Sequence, residues 1–98
     1  MRGFPGQWTF GPDELWYRSR GPAEDMTILA TAFSADTRMH EPIVWTVGYG
    51  RGRVFVTMMG HDVAAMKHPA FGVVLPRGCE WAAAGAVTQP LPADFGRK

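Results

Sequence analysis

The stretch PIVWTVGYGRGRVFVTMMG, residues 42–60, constrains the fold more than any other part of the chain. Two apolar runs, Ile43 to Val47 and Val54 to Met59, flank the connection Gly48, Tyr49, Gly50, Arg51, Gly52. Its glycines supply the positive φ angles that a tight turn requires, and Arg51 and Arg53 keep its tip in water. A β-hairpin is therefore predicted here, and the remaining elements must pack against it.

Around the hairpin, MTILATAF (residues 26–33) is β-branched and apolar between two polar loops, which predicts a strand covered on both faces. SADTRMHEP follows as a loop. Beyond Asp62 the spacing turns helical, with Phe71, Val74, Leu75, Gly78, Trp81 and Ala82 close to a 3.6 period. Pro69 suits the first turn and Gly85 the stop. Pro76 opposes this, because proline inside a helix costs about 3 kcal/mol, and Gly72 and Gly78 add roughly 1 each. A kink near Leu75, or two short helical pieces, is expected.

Residues 1–12, rich in glycine and proline, carry Phe4, Trp8 and Phe10 and predict an extended segment pinned by aromatic contacts. Pro12 and Asp13 then open a short turn-like element that Gly21 and Pro22 close. The tail TQPLPADFGRK is proline-spaced and expected to run extended along the surface. With 98 residues, 46% of them hydrophobic, and no internal repeat, the chain reads as one domain. A domain of this size buries only about 60% of its unfolded surface, so a partner covering an exposed face would matter to its stability.

Ten basic against nine acidic residues leave a formal charge of +1, with the basic residues scattered, which argues against a nucleic-acid footprint. The single cysteine, Cys79, excludes an internal disulfide and a paired-cysteine metal site, and its helical spacing from Leu75 and Ala82 predicts a buried, inert thiol. The first residues contain no secretory pattern, and no apolar run approaches the roughly 18 residues of a membrane span. The chain reads as soluble and cytoplasmic, with no membrane contact.

His61 is the first candidate for chemistry. It stands just after Gly60, where an apolar strand ends, and ligands of open α/β sheets gather beyond strand ends. The competing reading makes Asp62 an N-cap of the next helical turn, with His61 beside it. Asp13 and Glu14 form a second candidate, an acidic pair beside Leu15, Trp16 and Tyr17 whose aromatic walls could raise a carboxyl pKa and orient a sugar. Adjacent acids also arise at helix starts for dipole reasons. His40 and Glu41 could ligate a metal, but an exposed polar loop accounts for them as well. Met58, Met59 and Met66 near His61 and His68 suggest copper, yet strand alternation turns Met58 and Met59 to opposite faces, so at least one is packing. No metal and no cofactor are expected. GYGRGR joins two strands without a following helix, which does not suit a phosphate loop.

Taken together, RGFPGQWTFGPDELWYRSRGPAEDMTILATAFS, HEPIVWTVGYGRGRVFVTMMGHD and PRGCEWAAAGAVTQPLPADF resemble the C-terminal half of the ThuA-like, trehalose-utilisation family. DELW, YGRGRVF leading to GHD, and RGCEWAA are the most specific parts, in matching order and spacing. The resemblance implies an α/β fold: the C-terminal portion of a flavodoxin-like, class I glutamine amidotransferase-like sandwich, with a β-hairpin and a C-terminal helix. Residues 1–98 would then be a partial ThuA-like domain lacking the N-terminal half that supplies the family's central parallel strands. Gly72 and Pro76 depart from the regular helix of the family.

The resemblance further implies carbohydrate metabolism on a trehalose-type sugar, with acid/base chemistry on a sugar or polyol. His61 and Glu14 match its polar positions at the ligand-facing edge and are expected to be catalytic, with Asp13, Tyr17, His40 and Asp62 binding substrate. The partners expected are a small sugar ligand and either the missing N-terminal half or a second copy. Amidotransferase chemistry is not expected, since Cys79 sits in the wrong element. The alternative is a non-catalytic interaction module, a degenerate half-domain that self-associates through its sheet with Trp8, Trp16 and Trp45 as anchors.

Overall fold

The computed structural model describes residues 4, 6–8, 10, 13, 15 and 25–95. Its elements follow the chain as β1 (Met26–Ser34), β2 (Met39–Tyr49), β3 (Gly52–Thr57), α1 (Val63–Met66) and α2 (Pro69–Ala84). The strands form a three-stranded antiparallel sheet in the order β1-β2-β3, so the fold is mixed α and β with a C-terminal helix.

The glycine-rich hairpin is present, and it is tighter than the spacing of its glycines suggests. Tyr49 pairs with Gly52, leaving Gly50 and Arg51 as the connection, and Gly50 takes the positive φ (59°) that the first position of such a turn needs. Pairing runs back to Val44 opposite Thr57, and the amide of Met58 extends it by donating to the Ile43 carbonyl at 2.8 Å.

The stretch 34–42 is not a loop. A turn over residues 35–38 closes a second hairpin, with Ser34 paired to Met39 and the Arg38 amide donating to the Ser34 carbonyl at 2.7 Å. Arg38 adopts a left-handed φ of 58°, which is what lets so short a turn reverse the chain. His40 and Glu41 consequently lie on β2. Glu41 is buried and accepts a hydrogen bond from Thr37 Oγ1 at 2.7 Å, so it is not part of an exposed loop. Farther along β2 the register with β1 slips on both sides of Ala30, close to Pro42, which has no amide to contribute to the ladder.

The strand β1 is not covered on both faces: Ile28 and Phe33 stand 52% and 57% exposed. The core lies on the other side, where α2 packs on the sheet through Ala70, Val74 and Gly78, spaced four residues apart. Val44 of the central strand is fully buried there. Cys79 is one residue round the helix from that buried stripe and is exposed, so the expected buried thiol is not found.

α2 is one helix of 16 residues and not two pieces. Gly72 and Pro76 are both exposed, so the carbonyl of Gly72, which loses its helical donor at Pro76, sits on the side where water can replace it. His68 caps the start, its Nδ1 accepting from the Ala70 amide at 3.1 Å, and Gly85 ends the helix in the left-handed conformation. Pro69 takes the first turn as expected.

The two ends of the chain meet through aromatic rings. Phe95 is buried against Phe4 and Trp8 at centroid separations of 4.7 and 5.2 Å, and Phe10 meets His68 edge-on at 5.0 Å. The early segment is thus pinned by aromatic contacts, and Trp8 is engaged within the molecule. Among the described residues no helix is long and apolar enough to cross a membrane.

Candidate functional site

β3 ends at Thr57, and within three residues the chain turns away from the sheet. The Met59 amide donates to Thr57 Oγ1 at 3.2 Å, and Gly60 then takes a φ of 93° that a residue with a side chain adopts only under strain. Space imposes the same choice, because a Cβ on Gly60 would lie 2.4 Å from the ring of Phe71 in α2. His61 follows the bend and is exposed.

The bend is held from the far end of the sequence. Asp13 Oδ2 accepts from the Gly60 amide at 2.7 Å and Oδ1 from the His61 amide at 3.0 Å, so one carboxylate spans two consecutive backbone donors. Asp62 is the N-cap of α1, its Oδ1 accepting from the Ala65 amide at 2.8 Å. Three consecutive residues, Gly60 to Asp62, therefore have their directions fixed by a remote carboxylate, a ring below and a cap ahead.

A groove of about 1010 Å³ opens over β1. Trp8, Phe10 and Leu15 of the early segment form one wall, residues 28–33 the floor, and Met58 and Met59 the end nearest the bend. Both methionines line it, although strand alternation was expected to turn them to opposite faces. Asp13 and His40 contribute its ionisable groups, and the His40 ring stands edge-on to Phe33 at 5.4 Å.

Of the candidate site residues, Asp13, His61 and Asp62 are brought together at the bend, and His40 lies along the groove that Asp13 also lines. Glu14 and Tyr17 lie outside the described residues, as does Trp16. Among the described residues no group of three or more His, Cys, Asp or Glu is placed to hold a metal ion. Reading the sequence missed the amides of Gly60 and His61 as partners of Asp13. No local pattern announces a pairing across 48 positions.

Arg53 and Glu80 serve the scaffold. Arg53 Nε and Nη2 donate to the carbonyls of Trp81, Ala82 and Ala83 at 3.1–3.3 Å, closing the C-terminal end of α2. Glu80 accepts from the Thr88 hydroxyl and from the amides of Thr88 (2.9 Å) and Gln89 (3.3 Å). The Thr88 hydroxyl, then its amide, and then Gln89 hold the carboxyl of Glu80 below the usual glutamate range.

A crystal structure of a ThuA-like protein from Parabacteroides merdae is similar, with a TM-score of 0.88 and 44% identity over 97% of this chain. The chain spans 38% of that protein's length. No curated protein is similar enough to match. The ThuA family model, described as trehalose utilisation, matches residues 1–82, and that match together with the shared fold shows that the chain belongs to the ThuA family.

Proposed function

We propose that this chain is the carboxyl-terminal part of a ThuA-type domain that acts on a trehalose-type sugar or related polyol, with His61 exchanging a proton with a sugar hydroxyl. The observation that carries the reading is the presentation of His61, exposed at the exit of β3 and secured through its backbone by a carboxylate of the early segment. An imidazole is suited to proton transfer near neutral pH. Glu14, next in sequence to Asp13, is the proposed carboxylate partner, with Tyr17 and His40 as hydrogen-bonding groups for the sugar. The groove supports a ligand because apolar and aromatic walls with a few polar groups suit a sugar's mixed surface.

The whole domain is proposed to be flavodoxin-like, of the glutamine amidotransferase-like type, with the amino-terminal part of a ThuA-like domain covering the open face of the sheet. Two observations support this: the solved relative is more than twice as long, and Ile28 and Phe33 are exposed on β1. The alternative, a self-associating module, draws on the same exposed residues, Ile28 and Phe33.

The test is a calorimetric titration of trehalose into the chain, alone and mixed with the amino-terminal portion of a ThuA-like domain. Saturable binding that weakens at least about tenfold in His61→Ala supports the assignment. Absence of binding in both samples, or equal affinity in His61→Ala, overturns it.

A further inference from the structure

Asp13 was expected among the substrate-binding groups, but both of its carboxylate oxygens are engaged by the protein's own backbone. The Gly60 amide reaches Oδ2 at 2.7 Å and the His61 amide reaches Oδ1 at 3.0 Å. Hydrogen bonds to an ionised acceptor are about twice as strong as neutral ones. Two successive amides pointing the same way form a small concavity of positive dipoles that favours an anion. Neither amide is spent on a sheet ladder, since β3 has ended at Thr57, and Phe71 blocks the bend from collapsing toward α2. The direction in which the chain leaves the strand, and hence where position 61 presents its ring, is thus set by a residue 48 positions earlier.

We infer that Asp13 is a positioning residue for His61. Its carboxylate fixes the backbone from which the imidazole projects. Because Asp13 also lines the groove over β1, whose lining stops at Met59 and does not include His61, it links whatever occupies that groove to the histidine two residues farther on. The functional half of the inference rests on the proposed acid/base reading, whereas the anchoring half does not.

The experiment uses Asp13→Asn, in which one carboxylate oxygen becomes an amide nitrogen that cannot accept, together with Asp13→Ala. Hydrogen exchange at the Gly60 and His61 amides is compared with exchange in α2, and trehalose is titrated into each variant under the conditions that bind it best to the parent chain. Loss of protection by about tenfold or more at positions 60 and 61, with α2 unchanged, is expected. Sodium formate added to Asp13→Ala is expected to return those two amide signals toward the parent positions, which general loosening of the fold would not allow. Trehalose affinity is expected to fall about tenfold in Asp13→Asn. Unchanged protection at both amides, or protection lost equally throughout α2 with no response to formate, overturns the anchoring. Anchoring with undiminished trehalose affinity in Asp13→Asn overturns the functional half. If the parent chain shows no trehalose response while the amides and formate behave as expected, the sugar reading fails and the anchoring stands.

Discussion

Phe55 of β3 fills the space that a side chain at position 78 of α2 would need, since a Cβ on Gly78 would stand 2.2 Å from its ring. The helix approaches the sheet closely because this one position carries no side chain, and the buried stripe of Ala70, Val74 and Gly78 runs along that contact. Alanine is preferred over glycine in a helix by about 1 kcal/mol, but overpacking a fitted contact costs about 1–3 kcal/mol. The clash should win. Gly78→Ala is expected to lower stability by about 1–2 kcal/mol. Gly72→Ala, in the same helix with nothing within 4 Å of its Cβ, is expected to raise it by up to about 1 kcal/mol. Urea denaturation of the two variants side by side checks the opposite signs.

Arg53 reaches across from β3 to the last carbonyls of α2, where the Trp81 carbonyl also accepts from the Gly85 amide at 2.7 Å and those of Ala82 and Ala83 lie past the end of the helical ladder. Its position is exposed, so the contribution is modest, about 0.5–1 kcal/mol. Arg53→Met is expected to lose that amount, and Arg53→Lys to recover only part, because a single ammonium cannot match a fork spread over three carbonyls. Hydrogen exchange in the last turn of α2 should quicken in both, with the middle of the helix unaffected.

The exposed apolar side chains of the sheet make a further expectation. Phe33 stands beside the short turn between β1 and β2, and Ile28 lies toward the other end of β1. A face of this kind attracts a partner, which in dilute solution of the chain alone is a second copy. Sedimentation should show association rising with concentration, and Phe33→Lys should suppress it. If association is unaffected by Phe33→Lys, another surface is responsible.

The elements easiest to read from the sequence were those whose punctuation is chemical. Glycine at 50 marks the hairpin, proline at 69 the helix start and glycine at 85 its stop, because each residue type matches a backbone requirement. The β1–β2 turn escaped detection since its left-handed residue is Arg38, which carries no such signature. The passage of α2 through Pro76 and the exposure of Cys79 depend on which side of the helix meets the sheet, and tertiary packing decides that. At the site, His61 after Gly60 was legible from a strand end meeting a glycine. Asp13 was visible as an acid, but its engagement with the two amides was not, because that contact exists only once the early segment crosses to the end of β3.

Glu80 ties α2 to the chain that follows it, and that tie should respond to acid. Its carboxyl is held below the usual glutamate range by the Thr88 hydroxyl first, then by the amides of Thr88 and Gln89 and by the Gln89 side chain. A carboxylate with a folded pKa below its unfolded value adds stability that is fully present above the unfolded value and fades as pH falls through the folded one. Residues 88–89 should therefore stay docked at neutral pH and loosen in mildly to strongly acid solution, below the range where a free glutamate titrates. The carbonyl of Gln89, which accepts from Arg77 Nη1, and its side-chain amide, which donates to the Pro76 carbonyl at 3.1 Å, should be released in the same step. NMR titration of the Glu80 carboxyl carbon and of the Thr88 amide should give one shared midpoint, displaced to lower pH than that of an unstructured glutamate. In Glu80→Gln the Thr88 amide should lose this pH dependence, and if it keeps the same midpoint, another acid controls the docking.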